Sequence, residues 1–260
     1  MKLLVQGDDF GFTRGVTLGI VDSIDNGILR NTGLFVNMPA AEFAVCFMKD
    51  RPQVCFGLDF NLVAGRPVSN PNEIPHLVDE NGNFIKSGIR IRNELWNSIE
   101  GRKVLFPKNE VVKEIKAQYD KFIELTGNKP GYLHPHSIMP ETYIEAIHEL
   151  SIETNIPFSK EAWENLYQPK MSSPVSNTKT FDPQSQLDKN TTQQIVDCFD
   201  DMLKHEKCVI CCHPGYLDAD LLDKTTLSIE RVKDAQAYMS DIICNWVKDN
   251  YVELITYRDL

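Results

Sequence analysis

Four apolar runs in this chain each end in carboxylates or histidines, and helix-like segments separate them. Leu3-Leu4-Val5 leads to Asp8-Asp9, bracketed by Gly7 and Gly11; Cys55-Phe56-Gly57-Leu58 leads to Asp59; Tyr132-Leu133 leads to His134-Pro135-His136; Cys208-Val209-Ile210 leads through two further cysteines to His213-Pro214-Gly215. A buried strand that turns polar at its carboxyl end delivers side chains into a pocket there. Taken alone, Gly-Asp and Phe-Gly are also ordinary turn chemistry. The recurrence is what favours a site.

Between these runs the apolar spacing is helical. Thr13 to Asn26 places Val16, Ile20, Val21 and Ile24 on one stripe, with Thr13 as cap and Asn26-Gly27 as stop. Gly33 to Met38 reads as a strand, Ala40 to Lys49 as a helix, and Lys108 to Leu125 as a long amphipathic helix stopped by Gly127. Glu141 to Leu150, Thr191 to His205 and about Leu227 to Val247 read as further helices, Pro157-Phe158-Ser159 as a short strand, and Val252 to Thr256 as the last strand. Tyr167 to Gln186 is polar and rich in Pro and Ser, as a loop would be. From Val63 to Arg92 periodicity fails and Gly, Pro, Asn and Ser dominate, so an insertion over the site is expected at about 63–92.

This cadence implies parallel βαβ units. With about seven strands in one domain spanning residues 1–260, the expectation is an α/β fold of the distorted, TIM-barrel-like (β/α) type, its chemistry at the carboxyl ends of the strands. A chain of 260 residues suits one such domain better than two.

Charge and composition narrow the partners. A formal charge of -10 argues against nucleic-acid backbone and anionic membrane surfaces, whose affinity rests on Lys and Arg clusters. No stretch approaches the roughly 20 apolar residues of a membrane span. The strand-like start lacks a signal peptide's apolar region, so a cytoplasmic location is expected. The seven cysteines sit mostly among apolar neighbours and read as reduced core residues. A thiolate site built from Cys208, Cys211 and Cys212 is disfavoured, because a strand alternates its faces.

Carboxylates and imidazoles at strand ends are the donor set of a divalent-metal hydrolase. A metal lowers the pKa of bound water and polarises a carbonyl. A free carboxylate beside it serves as base and a histidine opposite as acid.

The same residues resemble the YdjC-like carbohydrate deacetylase family, which includes the diacetylchitobiose deacetylases, nearly end to end. Asp8-Asp9-Phe10-Gly11 resembles the family's DDFG, and Gly57-Leu58-Asp59-Phe60-Asn61-Leu62 with Gly65-Arg66-Pro67 resembles its GLHLxL and GRP stretch. Val78-Asp79, Gly82, Phe84, Gln118, Lys129-Pro130, His136, His213-Pro214-Gly215 and Arg231 continue the likeness. The resemblance implies a distorted barrel that removes N-acetyl groups from amino sugars or oligosaccharides, phosphorylated chitobiose-type sugars among them, with a divalent ion such as Mg2+ or Zn2+. Carried over, it implies Asp8 as general base, His213 as general acid, Asp9 and His136 as metal ligands with Asp59 in the place of a third, and Arg231 either at the substrate or supporting the ligands from behind. It admits a homodimer.

Two positions depart from the family. Asp59 stands where the family has His, and His134-Pro135-His136-Ser137-Ile138-Met139 stands where it has a run of Asp, Ser and alternating His. An added carboxylate favours a harder cation, and a changed substrate or reduced activity follows as a hypothesis. The alternatives are another sugar-active barrel enzyme, an isomerase or a metal-free glycosidase with two carboxyls flanking the bond, or a non-catalytic sugar-binding relative. Among the remaining histidines, His134 is read as turned away from His136 and packed or hydrogen-bonded, and His76, His148 and His205 as solvated. Trp96, Trp163 and Tyr216 are more simply packing residues than sugar platforms.

Overall fold

The computed structural model describes residues 1–171 and 182–260. The expected loop from Tyr167 to Gln186 thus lies partly outside the described residues. Among the described residues six strands form one all-parallel sheet: β1 (Lys2–Phe10), β2 (Asn31–Leu34), β3 (Cys55–Phe60), β4 (Leu133–Pro135), β5 (Lys207–Cys212) and β6 (Glu253–Ile255). The path runs β4-β3-β2-β1-β5, and β6 pairs with β1. The result is a half-barrel of five strands with a sixth beside β1.

About seven strands were expected. The difference lies at Pro157-Phe158-Ser159, which makes a single bridge from Phe158 to Leu133, while Tyr167 makes another to Cys208. Too few residues are extended there to build a ladder. β2 also starts earlier than Gly33, because Asn31 and Thr32 pair with Cys55 and Phe56 of β3. Polar side chains hid that start.

β1 is the centre. Its Lys2 to Gly7 pair with Lys207 to Cys212 of β5 on one edge. On the other edge Lys2 to Leu4 pair with β6, and from Gln6 onward the partner is β2. Asn31 fills the fork: its Nδ2 donates to the Val5 and Ile255 carbonyls, and its Oδ1 accepts from the Tyr257 amide.

Most of the apolar core lies between the sheet and its helices, with Val16 and Ile20 of the Arg14–Asp25 helix and Val111, Ile115 and Phe122 of the Lys108–Thr126 helix fully buried. A second cluster joins Leu4, Cys55, Val209 and Ile255, one from each of four strands, with Tyr132 just ahead of β4 and Tyr257 just after β6. It is the floor of the half-barrel.

The two expected long C-terminal helices are each broken. The first divides into Thr191–Val196 and Phe199–Met202, the second into Ile229–Tyr238 and Asp241–Asp249. In the second, Ser240 takes an extended backbone just ahead of the following helix, which interrupts the run. The expected insertion at 63–92 is mostly irregular, yet Ile74, Leu77 and Phe84 within it join the core. No described helix is long and apolar enough to cross a membrane.

Candidate active site at the carboxyl ends of the strands

Strand residues two apart share a face, so the floor residues predict what stands above them. Leu4 is followed on its face by Gln6 and Asp8, Cys55 by Gly57 and Asp59, Tyr132 by His134 and His136, and Val209 by Cys211 and His213. Each column begins in the floor and ends polar. The expectation that His134 faces away from His136 is therefore corrected, since i and i+2 lie on one side. His134 is the register partner of Asp59 and points its Nε2 to within 3.4 Å of Asp8 Oδ2.

Asp8 is held on both oxygens. Oδ1 accepts from Gln6 Nε2 at 2.7 Å; Oδ2 accepts from Cys211 Sγ at 3.2 Å and lies 3.9 Å from His213 Nε2. Burial pushes its carboxyl up, but the facing His134 and His213 outweigh burial and hold it well below the usual carboxylate range.

Asp9 follows at φ 76°, a left-handed backbone uncommon outside glycine. That turn sends its amide to Asp59 Oδ2 at 3.0 Å and its side chain to Arg231, whose Nη2 lies 2.5 Å from Oδ2. Its Oδ1 is 3.0 Å from His136 Nδ1. Burial works against its charge, and Arg231, then His136, overcome it, so Asp9 too is held well below the carboxylate range.

Asp59 reaches this group across β2. A Cβ on Gly33 would stand 1.7 Å from Asp59 Oδ1, so the carboxylate occupies the space that a side chain at residue 33 would take. Burial and the neighbouring Asp8 push Asp59 up to about 7. For His134, burial disfavours the cation but Asp8, foremost, raises it to about 9; its Nδ1 meets Ser159 Oγ at 2.7 Å.

His213 sits at the open side, its side chain 36% exposed, and its backbone amide donates to Asp234. Beside it a cavity of about 250 Å3 is lined by Cys211, Lys189, Thr191, Glu230 and Asp234 among others. Arg231, expected either at the substrate or behind the ligands, is 2% exposed and spends its Nη2 on Asp9.

The donor set fits a divalent cation. Asp59 Oδ1 is a buried carboxylate oxygen without a hydrogen-bond donor, although Oδ2 of the same carboxylate is fixed by the Asp9 amide; Asp9 Oδ1 faces the His136 ring at 3.0 Å. An orphaned acceptor on a residue at 0% exposure is costly unless something positive meets it. Among the described residues, Asp8, Asp59 and His134 form a group whose donor atoms all lie within 4.8 Å of one another. Of the three expected ligands, Asp59 belongs to that compact group, while Asp9 and His136 pair with each other beside it.

Sequence reasoning missed Gln6, Gly33, Ser159 and Tyr257, all of which hold the site in place. The floor-to-rim periodicity would have found Gln6; nothing local marks the others.

Buried carboxylates and imidazoles at the rim of a parallel half-barrel make a centre whose donors suit a cation. The chain belongs to the YdjC-like protein family, whose model matches residues 2–249. It is 32% identical to carbohydrate deacetylase 2 of Listeria innocua, over 100% of this chain and 99% of that one. It is 29% identical to the carbohydrate deacetylase of Clostridium beijerinckii, with 100% of both covered. A crystal structure from Enterococcus faecalis, named for cellobiose-phosphate cleavage, superposes with a TM-score of 0.76 at 20% identity, covering 99% of this chain and 98% of that one.

Proposed function

We propose that the chain acts as one deacetylase domain, a metal-dependent hydrolase that removes acetyl groups from N-acetylated amino sugars or oligosaccharides. The relatives named carbohydrate deacetylase support the reaction. The observation that carries the metal is the orphaned Asp59 Oδ1, set in a compact group of buried carboxylate and imidazole donors. Its partner oxygen is tied down by the Asp9 amide, as in ligating carboxylates oriented by neighbouring donors.

Asp9, Asp59 and His136 would hold the ion. When bound, it supplies an activated water and polarises the acetyl carbonyl. Two carboxylates and one imidazole admit Mg2+ as well as Zn2+, and the carboxylate at Asp59 favours the harder ion. Asp8, left outside this set, faces His213 and accepts the attacking water's proton. His213 stands on the open side and donates a proton to the departing amine. Arg231 keeps Asp9 ionised and turned toward His136 rather than touching the sugar.

The compact Asp8, Asp59, His134 group supports a second assignment, in which those three hold the ion and Ser159 orients His134. Metal titration of the chelated protein separates the two. Under the first, His136→Ala abolishes binding and His134→Ala weakens it modestly; under the second the order is reversed. For the reaction, acetate release from chitooligosaccharides should stop on chelation, return with Mg2+ or Zn2+, and nearly vanish in Asp8→Asn. Equal release by chelated and metal-loaded protein would overturn the metal-dependent reading.

A further inference from the structure

Beneath Asp8 a line of side-chain hydrogen bonds descends into the floor of the half-barrel. Trp163 Nε1 donates to Tyr257 Oη at 2.6 Å, Tyr257 Oη donates to Gln6 Oε1 at 2.5 Å, and Gln6 Nε2 donates to Asp8 Oδ1 at 2.7 Å. Indole nitrogen is only a donor and an ionised carboxylate only an acceptor. A chain with those two ends has one direction. The tyrosine hydroxyl must give its proton to Gln6, and the Gln6 amide must present its NH2 group to Asp8.

The line is buried and braced. Gln6 is 0% and Tyr257 2% exposed. The Tyr257 ring stacks on Tyr132 at 4.0 Å between centroids, and its amide is held by Asn31. Tyr257 also lies beyond residues 2–249, the part of the chain that the family model matches.

We propose that Tyr257 and Trp163 are positioning residues that act through Gln6 to fix the orientation of the Asp8 carboxylate. Reversal of the Gln6 amide would turn its carbonyl oxygen toward Asp8 Oδ1, acceptor against acceptor. The tyrosine hydroxyl forbids that state, because it already donates to the oxygen it holds. Asp8 is thereby kept with Oδ2 toward His213 and the open side. The proposal deepens the deacetylase reading and rests on Asp8 serving there as base.

The test uses metal-loaded protein and the variants Tyr257→Phe, Gln6→Ala and the double variant. Tyr257→Phe should lower kcat for acetate release about 10- to 100-fold with KM changed by less than about threefold, since a misplaced reacting group costs turnover rather than binding. The double variant should be no slower than Gln6→Ala alone, because the hydroxyl acts only through the amide. Multiplying effects, or a Tyr257→Phe kcat within about twofold of the parent, would overturn the proposal. In protein labelled with 15N-glutamine, the Gln6 side-chain amide is identified by its loss in Gln6→Ala, and it should shift in Tyr257→Phe. An unmoved resonance sinks the positioning line whatever the assay gives. Parent protein that releases no acetate sinks the deacetylase reading instead, leaving the resonance to decide the line.

Discussion

At residue 33 a hydrogen stands where a methyl group would lie 1.7 Å from Asp59 Oδ1. Gly33→Ala should therefore expel Asp59 from the centre and abolish metal binding, with unfolding measured alongside to show the fold survives. Protonation gives a second prediction. Asp59, raised to about 7, burdens the native state increasingly as pH climbs above its ordinary 3.8, and the burden is full once pH exceeds about 7. His134, raised to about 9, stabilises fully below 6.5 and loses that contribution as pH passes about 9. Asp8 and Asp9 are shifted the other way and matter only in acid, below 3.8. From about pH 5 to about pH 9 the native state thus binds more of these protons than the unfolded chain, so the Tm of chelated protein should fall across that range. Added cation should restore most of the loss at the alkaline end; an unchanged Tm would contradict the charge balance. Asp8, Asp9, Asp59, His136 and His213 were legible as strand-end polar residues. His134 was misjudged only because its parity with His136 was misread, and Gly33 was invisible because its importance is set by a side chain on the next strand.

Along the Lys108–Thr126 helix, Glu110, Glu114 and Gln118 recur every four residues on one buried stripe. Glu114 accepts from the Val68 and Ser69 amides, Glu110 from the His76 amide, and Gln118 brackets the backbone of Asn61 from both sides. The helix is thus a clamp for the insertion that follows β3. Glu114→Ala leaves two loop amides unpaired, at about 1–3 kcal/mol for each buried group. Hydrogen exchange over residues 63–85 should accelerate in that variant, and KM should rise more than kcat falls if the insertion covers substrate. The helix itself was plain from its apolar face. Its polar stripe resembled a solvated one, because sequence shows spacing but not which loop lies across it. The breaks near Cys198 and Ser240 were equally hidden: apolar spacing continued through them while the backbone did not.

Across the whole molecule, the βαβ cadence revealed the parallel sheet, but not that β1 shares one edge between two strands. Asn31 makes that sharing workable, satisfying the Val5 and Ile255 carbonyls and the Tyr257 amide at once. Asn31→Ala should lower Tm and, specifically, expose β6 and residues 256–260 to exchange before the remainder of the sheet. The parallel α/β organisation was readable; that it stops at a half-barrel rather than a TIM-like barrel of about seven strands was not, since a bridge of one residue at Phe158 leaves the same apolar trace as a short strand.

The fork at Asn31 also has a kinetic side. β1 and β2 are near in sequence, whereas β6 must return across more than two hundred residues to reach β1, and contacts of that separation form slowly. Seating β6 brings Tyr257 under Gln6. Refolding should then proceed in two stages, with far-UV circular dichroism recovering first and acetate release lagging behind it, so that activity serves as a clock for the final docking event.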